Sequence, residues 1–213
     1  MAGPRDASLD QSRYAYFDRL AEEWDRNVNR EELARRLSEQ IHVLPLKPGE
    51  RILDLGCGTG NLTRILSDLA PTGCRLAAVD VSRGMLLRVR KKVPGCRHVL
   101  LIQADAARLP FPDNSFEHIF CYSTWPHLDH LTQLEIELAR LLVSRGHLYI
   151  WHSLSRNEVN LIHQLAGPPI AHDMLPPAQV LAGRLERAGF FIETCCEDER
   201  QYLVFARKES GND

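Results

Sequence analysis

The chain has 213 residues, of which 44% are hydrophobic and 25% charged, a composition that suits one globular domain with a full core. A net charge of −2 gives no electrostatic footprint for nucleic acid, and no apolar run approaches a membrane span. Residues 1–10 are polar and lack the apolar stretch of a secretory signal, so a cytoplasmic protein is expected, with neither membrane nor nucleic acid as partner.

Residues 1–13 read as a disordered leader. Residues 14–25, Y-A-Y-F-D-R-L-A-E-E-W-D, carry Phe17, Leu20, Ala21 and Trp24 on one helical stripe. A second helix is expected over 31–41. Pro45, Pro48 and Gly49 then break the chain before a first strand.

Residues 51–61, R-I-L-D-L-G-C-G-T-G-N, organise the rest. A buried strand runs into three glycines at alternate positions, Gly56, Gly58 and Gly60, and apolar residues at helical spacing follow from Asn61. Glycine accepts positive φ and brings no Cβ, so a ligand can lie directly on this backbone. The turn sits at the carboxyl end of a strand, where open α/β sheets bind ligands. A dinucleotide fingerprint would need a glycine at position 61, where Asn61 stands, and this argues against a nicotinamide oxidoreductase. Asp54, two residues before the turn, suits an ammonium group better than a pyrophosphate.

A second strand over 74–81 ends in Asp80, 20 residues after Gly60, where an acid can accept both hydroxyls of a ribose. Ser82 caps the next helix, and Met85 lies in its first turn. A third strand over 99–103 leads into Q-A-D-A-A-R-L-P-F-P. There the Asp105 carboxylate and the Ala106 N–H can face the polar edge of a ligand, or Asp105 can cap a helix. A fourth strand over 116–122 ends at Tyr122 and is followed by S-T-W-P-H-L-D-H. A helix over 131–143, a turn at 144–147 and a fifth strand over 148–151 come next.

These motifs resemble those of a class I S-adenosylmethionine (SAM)-dependent methyltransferase, of the small-molecule group that includes quinone-biosynthesis methyltransferases. The resemblance rests on D-L-G-C-G-T-G, on Q-A-D-A-A-R-L-P-F-P, on P-F-P-D-N-S-F and on the leader F-D-R-L-A-E-E-W-D, and it covers about residues 14–208. It implies a Rossmann-like α/β fold: a seven-stranded, mostly parallel sheet with helices on both faces and the last strand antiparallel. It further implies a helical lid over 14–45, a SAM-binding domain over 46–208, an acceptor-site insertion near 153–177 and a tail at 209–213. SAM, which leaves as S-adenosylhomocysteine, is expected on Asp54, Gly56, Cys57, Gly58, Gly60, Asn61, Asp80, Val81, Met85, Asp105, Ala106 and Tyr122. The absence of an N/D-P-P-Y/F loop after the fourth strand argues against adenine-N6 and glutamine acceptors.

The acceptor end is rich in histidine. His127 follows the fourth strand, His152 ends the fifth, His163 lies in a helix over 157–165, and His172 lies in a proline-rich loop. One reading makes His127, His152 or His163 a general base toward sulfur, nitrogen or oxygen of a small-molecule acceptor. A second lets His127, His152 and His163, with Asp173, hold zinc for a thiol acceptor. A third leaves the imidazoles as hydrogen-bonded pocket walls, and a SAM-binding protein without methyl transfer is a further alternative. The six cysteines form no C-x-x-C pair and are expected to be buried, reduced thiols. The oligomeric state is not legible in the sequence.

Overall fold

The computed structural model describes residues 7–26 and 28–210, with side chains from residue 13 onward. The chain begins with α1 (Ala7–Leu20) and α2 (Arg30–His42), and Asn29 caps α2 through the Glu32 N–H. The helix thus starts at Ala7, inside the stretch expected to lack structure, while residues 1–6 and 211–213 lie outside the described residues. The alternating core follows as β1 (Arg51–Leu55), α3 (Asn61–Leu69), β2 (Arg75–Asp80), α4 (Arg83–Lys92), β3 (Val99–Gln103) and β4 (Phe116–Tyr122). Then come α5 (Leu131–Leu141), β5 (Leu142–His152), α6 (Arg156–Ala166), α7 (Ala178–Arg187), β6 (Phe190–Glu197) and β7 (Tyr202–Lys208).

The sheet order is β3-β2-β1-β4-β5-β7-β6. Strands β1 to β5 pair in parallel, and β7 inserts antiparallel between β5 and β6. Because strand side chains alternate between faces, β1 divides its residues between two cores. Leu53 and Leu55 face the layer built from α5 and α7, whereas Ile52 faces α2 and α3. The parallel strands are apolar on both faces because helices cover both.

One boundary differs from expectation. The helix over 131–143 stops at Leu141, and residues 144–147 lie inside β5 rather than in a turn. Arg145 at φ 62 and a register shift between Phe116 and His118 let the chain bulge without leaving the sheet. Gly146 is needed there, since a Cβ would come within 3.2 Å of the Glu117 carbonyl oxygen. Cys57, Cys74 and Cys121 are buried and all six thiols are free, but Cys96, Cys195 and Cys196 are only half-buried. No helix of the described residues is long and apolar enough to cross a membrane.

Candidate active site

A cavity of about 870 Å³, counted with its open mouth, lies at the carboxyl ends of β1, β2 and β4. Its floor is the glycine turn. Gly56 (φ 67) and Gly58 (φ 53) both line it, and both hold backbone angles that a side chain disfavours. A Cβ on Gly58 would meet nothing within 4 Å, so the backbone there lies bare to the cavity. Gly56 is glycine for another reason: a Cβ would fall 2.1 Å from Thr124 Oγ1. Gly60 (φ 82) caps α3 and packs against Val89, away from the cavity.

Asp80 ends β2 beside this floor. Its Oδ2 accepts from the Gly58 N–H at 2.8 Å and its Oδ1 from the Ser82 N–H at 2.8 Å. Burial raises its pKa, and the two N–H donors offset part of that rise. Each oxygen keeps a further acceptor position for a ligand. Val81, Met85, Asp105 and Ala106 line the next wall. Asp105 caps no helix; its Oδ1 closes a short turn on the Ala107 N–H at 2.8 Å.

Five residues expected on the cofactor do not line the cavity. Asp54 follows Ile52 onto the α3 face of β1, where it is 1% exposed and accepts from Thr63 Oγ1 at 2.6 Å. Burial, and secondarily the nearby Asp80 charge, push its pKa up to about 7 against the pull of the Thr63 bond. Alternation also turns Tyr122 to the face of Trp151, where its hydroxyl pairs with Ser153 at 2.8 Å. The Cys57 side chain packs under α4 with Ala78 and Val89. Gly60 serves the helix, and the Asn61 amide oxygen accepts from Lys92 at 2.6 Å.

The leader motif is a latch. Phe17 and Trp24 line the cavity, with ring centroids 6.2 Å apart. Asp18 accepts from Ser82 Oγ at 2.6 Å and from the Gly84 N–H at 2.8 Å, at the start of α4. Asp25 pairs with Lys92 at 2.7 Å and accepts from Thr59 at 2.8 Å, on the glycine turn itself. Ala21 is buried, and a Cβ on Gly84 would lie 3.2 Å from it. Both acids of F-D-x-x-A-x-x-W-D therefore tie the segment to the two elements that border the cavity.

The other end of the cavity and the segments behind it gather three of the four histidines. His127 lines the cavity, and its Nδ1 pairs with Asp173 Oδ2 at 2.8 Å. The His163 ring lies 4.6 Å from that of His127, and its Nδ1 donates to the Asp173 backbone carbonyl. His152 is 2% exposed, and its Nε2 has no hydrogen-bond partner among the described residues. Burial, then the charges of His127 and His163, push its pKa down to about 3, so it stays neutral. His172 is exposed on its loop and joins none of this. The zinc set is corrected here: among the described residues no group of three or more His, Cys, Asp or Glu is placed to hold a metal ion.

Sequence reasoning passed over Arg13. Its guanidinium bonds Asp129 at 2.8 Å, Asp173 at 2.7 Å and the His127 carbonyl at 3.2 Å. Nothing in the local sequence marks it. For Asp173 a weak signal exists. Asn160 and His163 lie one turn apart on α6, and Asn160 clasps the Leu175 N–H at 2.7 Å and its carbonyl at 3.1 Å, fixing the loop beside Asp173.

Residues 53–150 match a family model described as a methyltransferase domain. The chain is similar to a malonyl-[acyl-carrier protein] O-methyltransferase of Halorhodospira halophila, 37% identical over 131 residues, which cover 61% of this chain and 44% of that protein. It is also similar to a demethylmenaquinone methyltransferase of Symbiobacterium thermophilum, 37% identical over 114 residues, covering 48% and 43%. The chain thus spans less than half the length of these two relatives. A SAM-dependent methyltransferase from Aquifex aeolicus shares the fold at TM-score 0.66 and 21% identity, covering 85% of this chain and 99% of that one. The matched segment, a methyltransferase domain, runs from β1 through the glycine floor, Asp80 and Asp105 to β5.

Proposed function

We propose that the protein transfers a methyl group from SAM to a sulfur, nitrogen or oxygen of a small molecule, by in-line displacement. The observation that carries this reading is the sharing of one cavity by the bare Gly58 backbone, the Asp80 carboxylate and the His127 imidazole. The fit to SAM rests on the same features. The floor leaves room where side chains would stand, and Gly58 presents bare backbone to it. Bound SAM supplies a methyl group on a positively charged sulfur, which no residue of the chain can provide.

The chain's own residues bind, align and deprotonate. Asp80 uses its remaining acceptor positions for the ribose hydroxyls, and Asp105 with the Ala106 N–H takes the adenine edge. Val81 and Met85 pack on the base, and Gly56 and Gly58 admit the methionine end. Asp54 braces the start of α3 behind them. Phe17 and Trp24 exclude water, and with the acceptor aligned most of the rate comes from proximity. His127 receives the acceptor's proton at Nε2, a contribution of about 10²- to 10⁴-fold in comparable sites.

Calorimetry with S-adenosylhomocysteine tests the binding half of this reading. Labelled SAM offered with a phenol, a thiol, an amine and a carboxylate tests the transfer half. Binding plus turnover above the acceptor-free rate with one nucleophile class is the expected result. Absence of binding sinks the reading. Binding without transfer across the panel would leave a SAM-binding protein with another role.

A further inference from the structure

Resting on the reading of His127 as the base, we infer that Asp173 is a positioning residue that fixes the tautomer of His127, and that Arg13 of α1 dictates how Asp173 does so. Asp173 is 6% exposed and stands where three distant segments meet. Its Oδ2 lies 2.8 Å from His127 Nδ1 after β4, and its Oδ1 lies 2.7 Å from Arg13 Nη2 on α1. Its backbone carbonyl takes the His163 Nδ1 proton from α6. A carboxylate has no proton to give, so His127 Nδ1 must be the donor. Nε2 then keeps its lone pair, which is the state a base needs.

The surroundings hold this pairing in place. Phe17 meets the His127 ring edge-on at 5.0 Å and His163 packs at 4.6 Å, so the ring is flanked on two sides. The Asn160 clasp on Leu175 and the Asp173 N–H bond to the Ile170 carbonyl at 2.9 Å fix the loop. Arg13 is the contribution of the leader segment. A guanidinium can only donate, so whatever group faces it must accept. Closing the segment over the cavity and aligning the base are therefore one event, because one side chain joins them.

Substitution at Asp173 turns this into a sharp test. In Asp173→Asn the carbonyl oxygen must face Arg13, which leaves the NH₂ group facing His127 Nδ1. That nitrogen then has to accept, and the proton moves to Nε2. In Asp173→Asn combined with Arg13→Met, the amide can turn over and accept from Nδ1 again. A merely structural aspartate predicts neither exchange.

The experiment is ring-nitrogen NMR of the full chain in mildly alkaline buffer, with and without S-adenosylhomocysteine, the His127 signals being assigned by their loss in His127→Asn. Expected are the Nδ1–H form in the wild type, the Nε2–H form in Asp173→Asn, and a regained Nδ1–H population in the double variant. With any nucleophile the panel shows to be turned over, kcat of Asp173→Asn falls about 10²-fold while KM for SAM stays within about twofold. An Nε2–H form or an imidazolium in the wild type overturns the inference even if no variant folds. So does an unchanged tautomer in Asp173→Asn. The tautomer is readable in the ligand-free protein, so failure of S-adenosylhomocysteine to bind would sink the functional reading and leave this test standing.

Discussion

Different ionisable groups are buried behind the two ends of the cavity. At the glycine floor they are acids, Asp54 and Asp80, with pKa values raised by burial. Around His127 they are imidazoles grouped on the Asp173 carboxylate, and His152, behind the cavity lining, is pushed down to about 3 by the same burial and by two neighbouring rings. The holding differs too. Asp80 is gripped by N–H groups two and 22 residues away, within one βα unit and its neighbour. His127 is gripped by a carboxylate 46 residues away, which is itself gripped by an arginine a further 160 residues back. The glycine end is a property of local backbone, and the histidine end is a property of the assembled fold.

The opposite burial gives the largest expected effect, because it places the two ends in opposite pH windows. Asp54 has a folded pKa of about 7, above its unfolded value, so the native state holds the extra proton between about pH 4 and 7. Stability falls as pH rises through that window. Asp54→Asn, which still accepts from Thr63, should flatten this limb and leave the protein up to about 4 kcal/mol more stable above pH 7. His152 has a folded pKa of about 3, below its unfolded value, so the unfolded chain holds the extra proton between about pH 3 and 6.5. Stability falls as pH drops through that window, and His152→Gln should flatten the acid limb by a similar amount. Urea unfolding against pH measures both. If either variant kept the wild-type slope in its window, the contrast between the two ends would be lost.

The next effect separates two glycines. Gly56→Ala puts a Cβ onto Thr124 at positive φ, at a cost of about 3 kcal/mol in strain and overlap. Gly58→Ala carries only the positive-φ strain, about 1 kcal/mol, yet its methyl enters the cavity. Urea midpoints should therefore drop much further for Gly56→Ala. S-adenosylhomocysteine calorimetry should show the greater affinity loss per unit of lost stability for Gly58→Ala.

How far each end was legible in the sequence follows from the same contrast. The sheet and the glycine turn could be read because their signals are local, and Asp80 and Asp105, singled out by position at strand ends, do line the cavity. Asp54 and Tyr122 were placed on the cofactor by motif, but strand alternation sends them to the α3 and Trp151 faces. The strand at 142–147 was missed because a bulge with Arg145 at φ 62 looks like a turn in sequence. Three histidines could be suspected of meeting, since neighbouring strands and one helix carry them. Arg13 gave no pattern, because nothing periodic links it to Asp173, 160 residues away.

A smaller effect returns to the floor. Asp80→Ala removes the acceptor proposed for two ribose hydroxyls, and at about 1–1.5 kcal/mol per hydrogen bond the affinity for S-adenosylhomocysteine should fall about 100-fold. The Gly58 and Ser82 N–H groups also lose their acceptor, so a small stability loss accompanies it. Calorimetry that found affinity unchanged would remove Asp80 from the cofactor site.

The latch joins the two ends, and its loosening should be the mildest change. Asp25 meets Lys92, Thr59 and the Asn61 amide on the glycine-turn side, with both charged side chains under 20% exposed. Its pKa is lowered, because the bonds from Lys92, Thr59 and Asn61 together outweigh a burial effect that acts the other way. The pair is partly shielded, so it is worth more than an open surface ion pair yet only about 1 kcal/mol once desolvation is counted. In Asp25→Asn the Thr59 bond can persist while the ion pair is lost. Affinity for S-adenosylhomocysteine should then fall about fivefold, with the fold's own unfolding midpoint nearly unchanged. Amide exchange should quicken in residues 14–26 and stay slow in β1 and β2. Asp18, bonded to the start of α4, and Arg13, bonded to Asp129 and Asp173, still hold the segment in this variant, so exchange should rise toward Trp24 more than toward Arg13. Uniform opening along the whole segment would mean that the latch acts as one cooperative unit and that the two ends of the cavity are not separately fastened.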